Sequence, residues 1–253
     1  LFIRKLKSWA KPHNVTPALI NFPSKDYIIY EPYGKVLVIS PWNYPFQLAL
    51  LPAMSAFAAG NNVVLKPSEH TPNTSSLIKK IVEKVFPSEL MCVVEGDAKI
   101  ASQLLEKKWD YIFFTGSVNI GEIVAVSAAK NLTPYTLELG GKSPAIIDRN
   151  TDLKLVSKRI VWGKFLNSGQ TCVAPDYLIV HKSIKGTLTK ELIDRIELTF
   201  DKNFDNTSDI TAIVNEKNFN RLTELIKENK IIYGGKSDPE NRYIFPTIID
   251  SPK

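Results

Sequence analysis

The chain has few of the residues from which metal sites and many hydrolytic sites are built. Among its 253 residues are two cysteines, Cys92 and Cys172, and three histidines, His13, His70 and His181. Zinc sites usually take their ligands from closely spaced Cys and His pairs, so this inventory predicts no metal site. The GxSxG turn of many serine hydrolases is also missing. Any chemistry must therefore depend on a group other than zinc or a histidine base.

Long apolar runs and concentrated charge are missing as well. No apolar stretch approaches the roughly 18–20 residues of a membrane span, and the opening LFIRKLKSWA lacks the uninterrupted apolar core of a signal peptide. The absence of a disulfide framework favours a reducing, cytoplasmic setting. The net charge is +6, but the 26 Lys and 6 Arg are scattered singly or in pairs. This pattern is typical of a solvated surface and predicts no nucleic-acid partner.

What the chain does contain is an alternation of short apolar runs with helical patterns. In the first part the predicted strands are 36–40, 62–68, 91–96 and 111–117, and the predicted helices are 74–86, 99–108 and 120–130. Continuous apolar strands separated by helices are typical of a parallel sheet covered on both faces. The pattern therefore predicts an α/β fold with a Rossmann-like doubly wound parallel sheet.

After Gly141 the pattern changes, and we expect part of a second α/β domain. Its predicted elements are a strand from 144, an amphipathic helix over 151–169 opened by Thr151 or Asp152, a strand at 177–181, a helix at 184–199, a short strand and helix within 209–230, and a last strand at 243–250. The domain boundary is placed near residue 141.

Two segments that follow predicted strands have the composition of a nucleotide site. In FTGS, Gly116 permits close backbone approach, Ser117 offers a hydroxyl, and the helix that contains Gly121 presents free N–H groups to an anion. In LKPSE, Lys66 and Glu69 are a donor and an acceptor suited to the two hydroxyls of a ribose. Each segment alone is better explained by an ordinary turn.

Three further segments carry groups suited to catalysis. Asn43 lies in the rigid turn PWNYPF and can donate its amide N–H groups to an oxyanion. Glu138, between leucines at a strand end, is expected to have a raised pKa and to serve as a general base. An edge-strand glutamate that points to water is the alternative. Cys172, in the polar loop NSGQTCVAPDY, is a candidate nucleophile, whereas Cys92 lies in an apolar strand and is expected in the core.

Taken together and in this order, PWNYP, LKPSE, FTGS, LELGGKSP and GQTCVAPDY resemble the aldehyde dehydrogenase superfamily. The 34 positions between Glu138 and Cys172 are also typical of that family. The segments TLELGGKSP, WGKFLNSGQTCVAPDY and YIFPTI are most similar to its class 3 branch, which oxidises fatty and aromatic aldehydes. The resemblance extends over the whole chain.

The resemblance implies a role for each matching residue. Cys172 would attack the aldehyde, Asn43 and the Cys172 backbone N–H would hold the oxyanion, and Glu138 would activate the hydrolytic water. Tyr44 would face the substrate tunnel. NAD or NADP would be the cofactor, and the residues implied to hold it are Ser40, Trp42, Lys66, Glu69, Gly116, Ser117, Gly121 and Gly140.

The family continues, after the last strand of this chain, with a Glu-containing EEIFGP-type segment and more of the catalytic domain. The resemblance thus implies that 1–141 is an N-terminally incomplete dinucleotide-binding domain and 142–253 a C-terminally incomplete catalytic domain. We expect an internal portion of a longer enzyme that is a homodimer at full length. Two alternatives stay open: a CoA-acylating relative, which Glu138 disfavours, and a catalytically silent cofactor-binding fragment.

Overall fold

The computed structural model describes residues 2–200 and 210–250. The chain forms two compact units, Leu1–Leu139 and Gly140–Lys253. None of the helices in the described ranges has the length and apolar composition that crossing a bilayer requires.

The first unit contains five helices and seven strands in its described residues. The helices are α1 (Phe2–Trp9), α2 (Pro45–Ala58), α3 (Pro72–Val85), α4 (Ala98–Leu105) and α5 (Val118–Lys130). The strands are β1 (His13–Val15), β2 (Asp26–Ile28), β3 (Lys35–Ile39), β4 (Asn62–Lys66), β5 (Met91–Val93), β6 (Tyr111–Thr115) and β7 (Tyr135–Glu138). Strands β1 and β2 form a separate antiparallel pair.

Five of these strands form one parallel sheet in the order β5–β4–β3–β6–β7. Alternate residues of a strand point to opposite faces, and β3 shows this directly. Val36 and Val38 pack in the core that includes residues of α2 and α3, while Leu37 and Ile39 pack in the core that includes residues of α4 and α5. The predicted doubly wound α/β fold is confirmed, and the strand order reverses direction between β3 and β6.

The second unit contains three helices and six short strands in its described residues. The helices are α6 (Leu153–Phe165), α7 (Lys185–Thr199) and α8 (Glu216–Lys227). The strands are β8 (Ser143–Ile147), β9 (Pro175–Val180), β10 (Ile231–Tyr233), β11 (Ser237–Asp238), β12 (Tyr243–Ile244) and β13 (Ile248–Ile249). Strands β8 and β9 pair in parallel and are connected through α6, which packs on α7 around a core that contains Val161, Leu188 and Ile196.

Three predicted elements of the second unit need correction. The predicted last strand is broken at Pro246, which has no N–H to donate, into β12 and β13, and these pair with different strands. Residues 210–214 form no strand, and Asp209 lies outside the described residues. Helix α6 ends at Phe165 instead of Gly169, because Asn167 and Ser168 take left-handed φ angles of 54° and 52°.

Candidate functional site

The carboxyl edge of the first unit's sheet brings several predicted site residues together. Parallel pairing aligns the ends of neighbouring strands, and two hydrogen bonds just beyond them extend the register. The N–H of Ser40 donates to the carbonyl of Lys66 (3.1 Å), and the N–H of Gly116 donates to the carbonyl of Glu138 (2.9 Å). In open α/β sheets, ligands bind at this edge where the strand order reverses, which here is the crevice after β3 and β6.

Lys66 and Glu69 form a paired donor and acceptor at the end of β4. The side chain of Lys66 is buried, and its Nζ donates to the carbonyl of Pro67 (2.9 Å) and to Oε2 of Glu69 (3.2 Å). Burial on its own raises the pKa of the Glu69 carboxyl, but a hydrogen bond from its own backbone N–H and the charge of Lys66 lower it overall. The pair therefore presents a charged donor beside an ionised, partly exposed acceptor.

Ser40 supplies a hydroxyl that has no hydrogen-bond partner among the residues that the structure describes. Its side chain is 5% exposed, and Oγ makes no hydrogen bond within the described part of the chain. Leaving a buried hydroxyl unpaired costs roughly 1–3 kcal/mol, so such a group calls for an explanation. A ligand oxygen at the carboxyl edge of β3 would satisfy it.

Trp42, Asn43 and Tyr44 lie in the bend between β3 and α2. Pro45 is the first residue of α2, where a missing N–H costs nothing because no helical partner exists there. All three side chains before it are partly buried. The structure thus places the predicted oxyanion donor Asn43 in a rigid turn at the carboxyl end of β3.

The segment from Gly116 to Gly121 is closely packed, and its hydroxyl already has a role. Oγ of Ser117 accepts a hydrogen bond from the N–H of Ile120 (3.4 Å) and caps α5. A Cβ on Gly116 would lie 2.5 Å from the ring of Phe114, and one on Gly121 would lie 2.7 Å from Leu139. A side chain at Gly116 would therefore require the Phe114 ring to move, whereas one at Gly121 would displace only the end of the Leu139 side chain.

Two predicted residues near the end of the first unit are less constrained than the sequence suggested. Glu138 is the last residue of β7 and its side chain is exposed, so the apolar surroundings expected from the flanking leucines are not present. A Cβ on Gly140 would meet open space, so no steric requirement for glycine exists there.

Cys172 lies in a tight turn of the second unit, directly before β9. The N–H of Ala174 donates to the carbonyl of Thr171 (3.1 Å), which places Cys172 at the centre of the turn with an exposed side chain. A Cβ on Gly141 would lie 2.5 Å from the Cys172 carbonyl oxygen, so the backbone at Gly141 lies against this turn. Cys92 differs: it is partly buried in β5, and burial raises the pKa of its thiol.

A charged cluster beside this turn was not predicted from the sequence. Oδ2 of Asp176 lies 3.2 Å from Nζ of Lys142, and Oδ1 of Asp176 lies 3.9 Å from Nζ of Lys164. Burial lowers the pKa of Lys164, the charge of Asp176 opposes this effect, and the charge of Lys142 adds to it. The three residues are 12 or more positions apart, and no local pattern in the sequence reveals that they meet.

A cleft of about 390 Å³ lies elsewhere on the first unit. It is lined mainly by apolar side chains of α2 and of the amino-terminal parts of β3 and β6, including Val36, Leu51 and Tyr111. It is therefore not the crevice at the carboxyl edge. Among the described residues, no group of three His, Cys, Asp or Glu side chains is arranged to hold a metal ion.

Comparisons with known proteins give a consistent result. The model of the "Aldehyde dehydrogenase family" matches residues 8–253. The chain is 46% identical over 249 residues to 4,4'-diaponeurosporen-aldehyde dehydrogenase of Staphylococcus aureus, covering 98% of this chain and 54% of that protein. It is 45% identical over 254 residues to aldehyde dehydrogenase family 3 member H1 of Arabidopsis thaliana, covering 98% and 52%.

A solved structure agrees with these relatives. The substrate-bound state of Staphylococcus aureus AldH matches with a TM-score of 0.92 and 45% identity, over 99% of this chain and 55% of that one. The chain thus spans about half the length of the relatives it matches.

Proposed function

Because the chain belongs to the aldehyde dehydrogenase family, we propose that the protein oxidises an aldehyde to a carboxylic acid with NAD or NADP. The observation that carries the proposal is the exposed thiol of Cys172, held at the centre of a tight turn inside the matched region. The similarity of its motifs to the class 3 branch favours a fatty or aromatic aldehyde as substrate.

The proposed reaction begins at Cys172. Its thiolate attacks the carbonyl carbon and forms a thiohemiacetal, whose oxyanion is held by the Asn43 amide and the Cys172 backbone N–H. NAD or NADP, when bound, would supply the hydride acceptor, and loss of a hydride from the thiohemiacetal carbon would leave a thioester to Cys172. Glu138 then takes a proton from water, which attacks the thioester and releases the carboxylic acid and the Cys172 thiolate.

The residues at the carboxyl edge of the first unit fit such a cofactor. The buried Ser40 hydroxyl, which has no partner in the described part of the chain, can bond a ligand oxygen, and Lys66 with Glu69 offers a donor and an acceptor to ribose hydroxyls. The N-terminus of α5, behind Gly116 and Ser117, favours the negative charge of a pyrophosphate. We propose that Trp42, Gly121 and Gly140 complete the cofactor site, and that Tyr44 faces the aldehyde.

The central test replaces the nucleophile in the full-length enzyme. We expect Cys172→Ala to abolish aldehyde-dependent formation of reduced cofactor, measured by its absorbance, because no other group forms the thioester. Cys92→Ala is the matched control and should keep turnover, since that thiol is partly buried in β5. Undiminished turnover in Cys172→Ala would refute the mechanism.

Two measurements separate the alternatives. Acid formation in the absence of CoA supports hydrolysis through Glu138, whereas a strict CoA requirement would identify a CoA-acylating enzyme. Calorimetric titration of NAD into the 253-residue chain, together with a turnover assay, distinguishes a catalytically silent cofactor-binding chain from an active enzyme. Cofactor binding without turnover by the full-length enzyme would favour that alternative.

We further propose that the full-length protein is a cytoplasmic homodimer. The apolar side chains of Val118, Ile120, Ile123 and Val126 on α5 are each about half exposed or more, which supports a protein surface that is covered in an assembly. Both cysteines are free thiols, which agrees with a reducing compartment. Recovery of the protein in the soluble fraction of lysed cells, free of membranes, is the result expected for this location.

A further inference from the structure

The segment 210–214 is fastened to the turn that precedes Cys172 by side chains of that turn. Oγ of Ser168 donates to the carbonyl of Thr211 (2.6 Å). The amide of Gln170 uses both of its ends: Nε2 donates to the carbonyl of Ala212 (3.1 Å), and Oε1 accepts from the N–H of Val214 (3.0 Å). These side chains therefore supply backbone partners to a segment that belongs to no strand.

Gln170 also stabilises an unusual backbone conformation in the three residues before it. Asn167, Ser168 and Gly169 follow one another with φ angles of 54°, 52° and 74°. Left-handed conformations cost non-glycine residues roughly 1–2 kcal/mol each, so surrounding contacts must hold them. Both the backbone N–H and Nε2 of Gln170 donate to the carbonyl of Asn167, at 3.0 Å and 3.3 Å.

The segment 210–214 is itself firmly anchored. Ile210 and Ile213 are buried, and the N–H of Ile213 donates to the carbonyl of Arg242 (2.9 Å). Nε of Arg242 donates back to the carbonyl of Ile213 (3.0 Å). A continuous set of hydrogen bonds thus extends from Arg242 through Ile213 and its neighbours to Gln170, two residues before the nucleophile.

We propose that Gln170 is a positioning residue for Cys172. Its amide fixes the left-handed turn against the anchored segment 210–214. It thereby sets the direction in which the Cys172 thiol points from the following turn. Because Nε2 faces two carbonyl oxygens and Oε1 faces an N–H, only a side chain with a donor and an acceptor fits this place. This inference rests on the proposed role of Cys172 as the nucleophile.

The test uses Gln170→Glu in the full-length enzyme, which puts an ionised oxygen opposite two carbonyl oxygens. We expect kcat to fall about 10- to 100-fold, because a small misplacement of a reacting group has effects of this size. The dissociation constant of NAD, whose proposed ligands lie in the first unit, should stay within about twofold, well below the roughly tenfold effect of losing a hydrogen bond to a charged group. Gln103→Glu, the same change on the exposed side of α4, is the matched control and should keep full kcat.

A pH profile separates positioning from general damage. Protonation of the introduced carboxyl, with an ordinary pKa of about 4.3, restores one donor. The activity of Gln170→Glu relative to wild type should therefore rise as the pH falls, while that of Gln170→Met should be low at every pH. The rate at which iodoacetamide alkylates Cys172, measured by mass spectrometry, should differ from the wild-type rate in both Gln170→Glu and Gln170→Met. Full kcat and an unchanged alkylation rate in Gln170→Glu would overturn the proposal.

Two further results keep the inference and its premise distinct. If Gln170→Glu does not fold, Ser168→Ala removes one bond of the same set and should lower kcat in the same direction by a smaller factor; unchanged kcat would then overturn the proposal. Turnover that survives Cys172→Ala refutes the proposed function itself, whereas the alkylation rate reports the placement of the thiol whether or not Cys172 is the nucleophile.

Discussion

Ser40 and Ser75 are buried serines that differ in whether the protein itself satisfies the hydroxyl. Oγ of Ser75 donates to the carbonyl of Ser68 (2.8 Å), whereas Oγ of Ser40 has no partner among the described residues. An unpaired buried hydroxyl costs stability, and a paired one contributes to it. The same substitution at the two positions should therefore have opposite consequences.

We predict that Ser40→Ala leaves the thermal unfolding temperature of the cofactor-free full-length enzyme unchanged or raises it. The affinity for NAD should fall by roughly fivefold, since a hydrogen bond to the ligand is worth about 1 kcal/mol. Ser75→Ala is the control and should lower the unfolding temperature without weakening NAD binding. Scanning calorimetry and cofactor titration check both statements; unaltered NAD affinity in Ser40→Ala would remove Ser40 from the cofactor site.

Glu69 makes a pH-dependent contribution to stability. Its pKa in the folded protein is lowered from the ordinary value of 4.5, although burial opposes the shift. A carboxyl with a lowered pKa stabilises the fold above its unfolded pKa, and this contribution disappears as the pH falls through the folded pKa. Because Glu69 is partly exposed, the contribution should be below about 1 kcal/mol.

The expected result is that Glu69→Gln reduces the urea midpoint near neutral pH and converges with wild type at acidic pH below the folded pKa. Asp238→Asn provides a contrast, because its pKa is also lowered but by hydrogen bonds from Asn241 at an exposed site. Asp238→Asn should leave NAD affinity unchanged, whereas Glu69→Gln should weaken NAD binding. A Glu69→Gln variant whose stability loss grows on acidification would contradict the sign of the linkage.

At the scale of elements, the turn that carries Cys172 is shaped by what packs against it. We predict that Gly141→Ala lowers kcat by about tenfold or more, because a Cβ there would lie 2.5 Å from the Cys172 carbonyl oxygen and the backbone must shift. Gly186→Ala, near the start of α7 where a Cβ meets open space, should keep full activity. Steady-state kinetics with both variants decide the matter; equal kcat values would show that the turn tolerates the shift.

The elements themselves could largely be predicted from the sequence, because local patterns determine them. The alternation of apolar strands with helical patterns predicts the α/β sheet of the first unit, and Pro67 explains why β4 ends at Lys66 instead of residue 68. The break at Pro246 was equally local, yet it was missed because the flanking residues are apolar. The resemblance of the motifs to a known family, more than any single spacing, identified the candidate site.

Features that depend on distant partners could not be predicted. Gln170 meets residues 42 and 44 positions away, and nothing near it in the sequence marks either contact. The exposure of Glu138 depends on which chain segments cover the end of β7, so an apolar local sequence was a poor guide to its surroundings. The left-handed turn was not predicted because Asn167 is only a weak signal for that conformation and Ser168 is no signal for it.

For the whole molecule, we predict that Ile123→Glu converts the full-length protein from dimer to monomer. The side chain is 55% exposed on α5, one helical turn from the exposed Ile120 and Val126, and a buried, unpaired carboxylate at an interface is strongly unfavourable. Leu77→Glu, on α3 with 51% exposure, is the control and should stay dimeric. Light scattering with size-exclusion chromatography gives the masses; a dimeric Ile123→Glu variant would exclude this face as the interface.

The exposure of Cys172 also has a consequence for the lifetime of the enzyme. A thiol that is accessible to an aldehyde is accessible to peroxide as well, and its first oxidation product, a sulfenic acid, is reversible while the sulfinic and sulfonic acids are not. With Cys172 as the proposed nucleophile, the enzyme would thus be inactivated by such oxidants. Its activity under oxidative stress would depend on how quickly cellular thiols reduce the sulfenic acid, and so on the redox balance of the cell more than on the amount of enzyme.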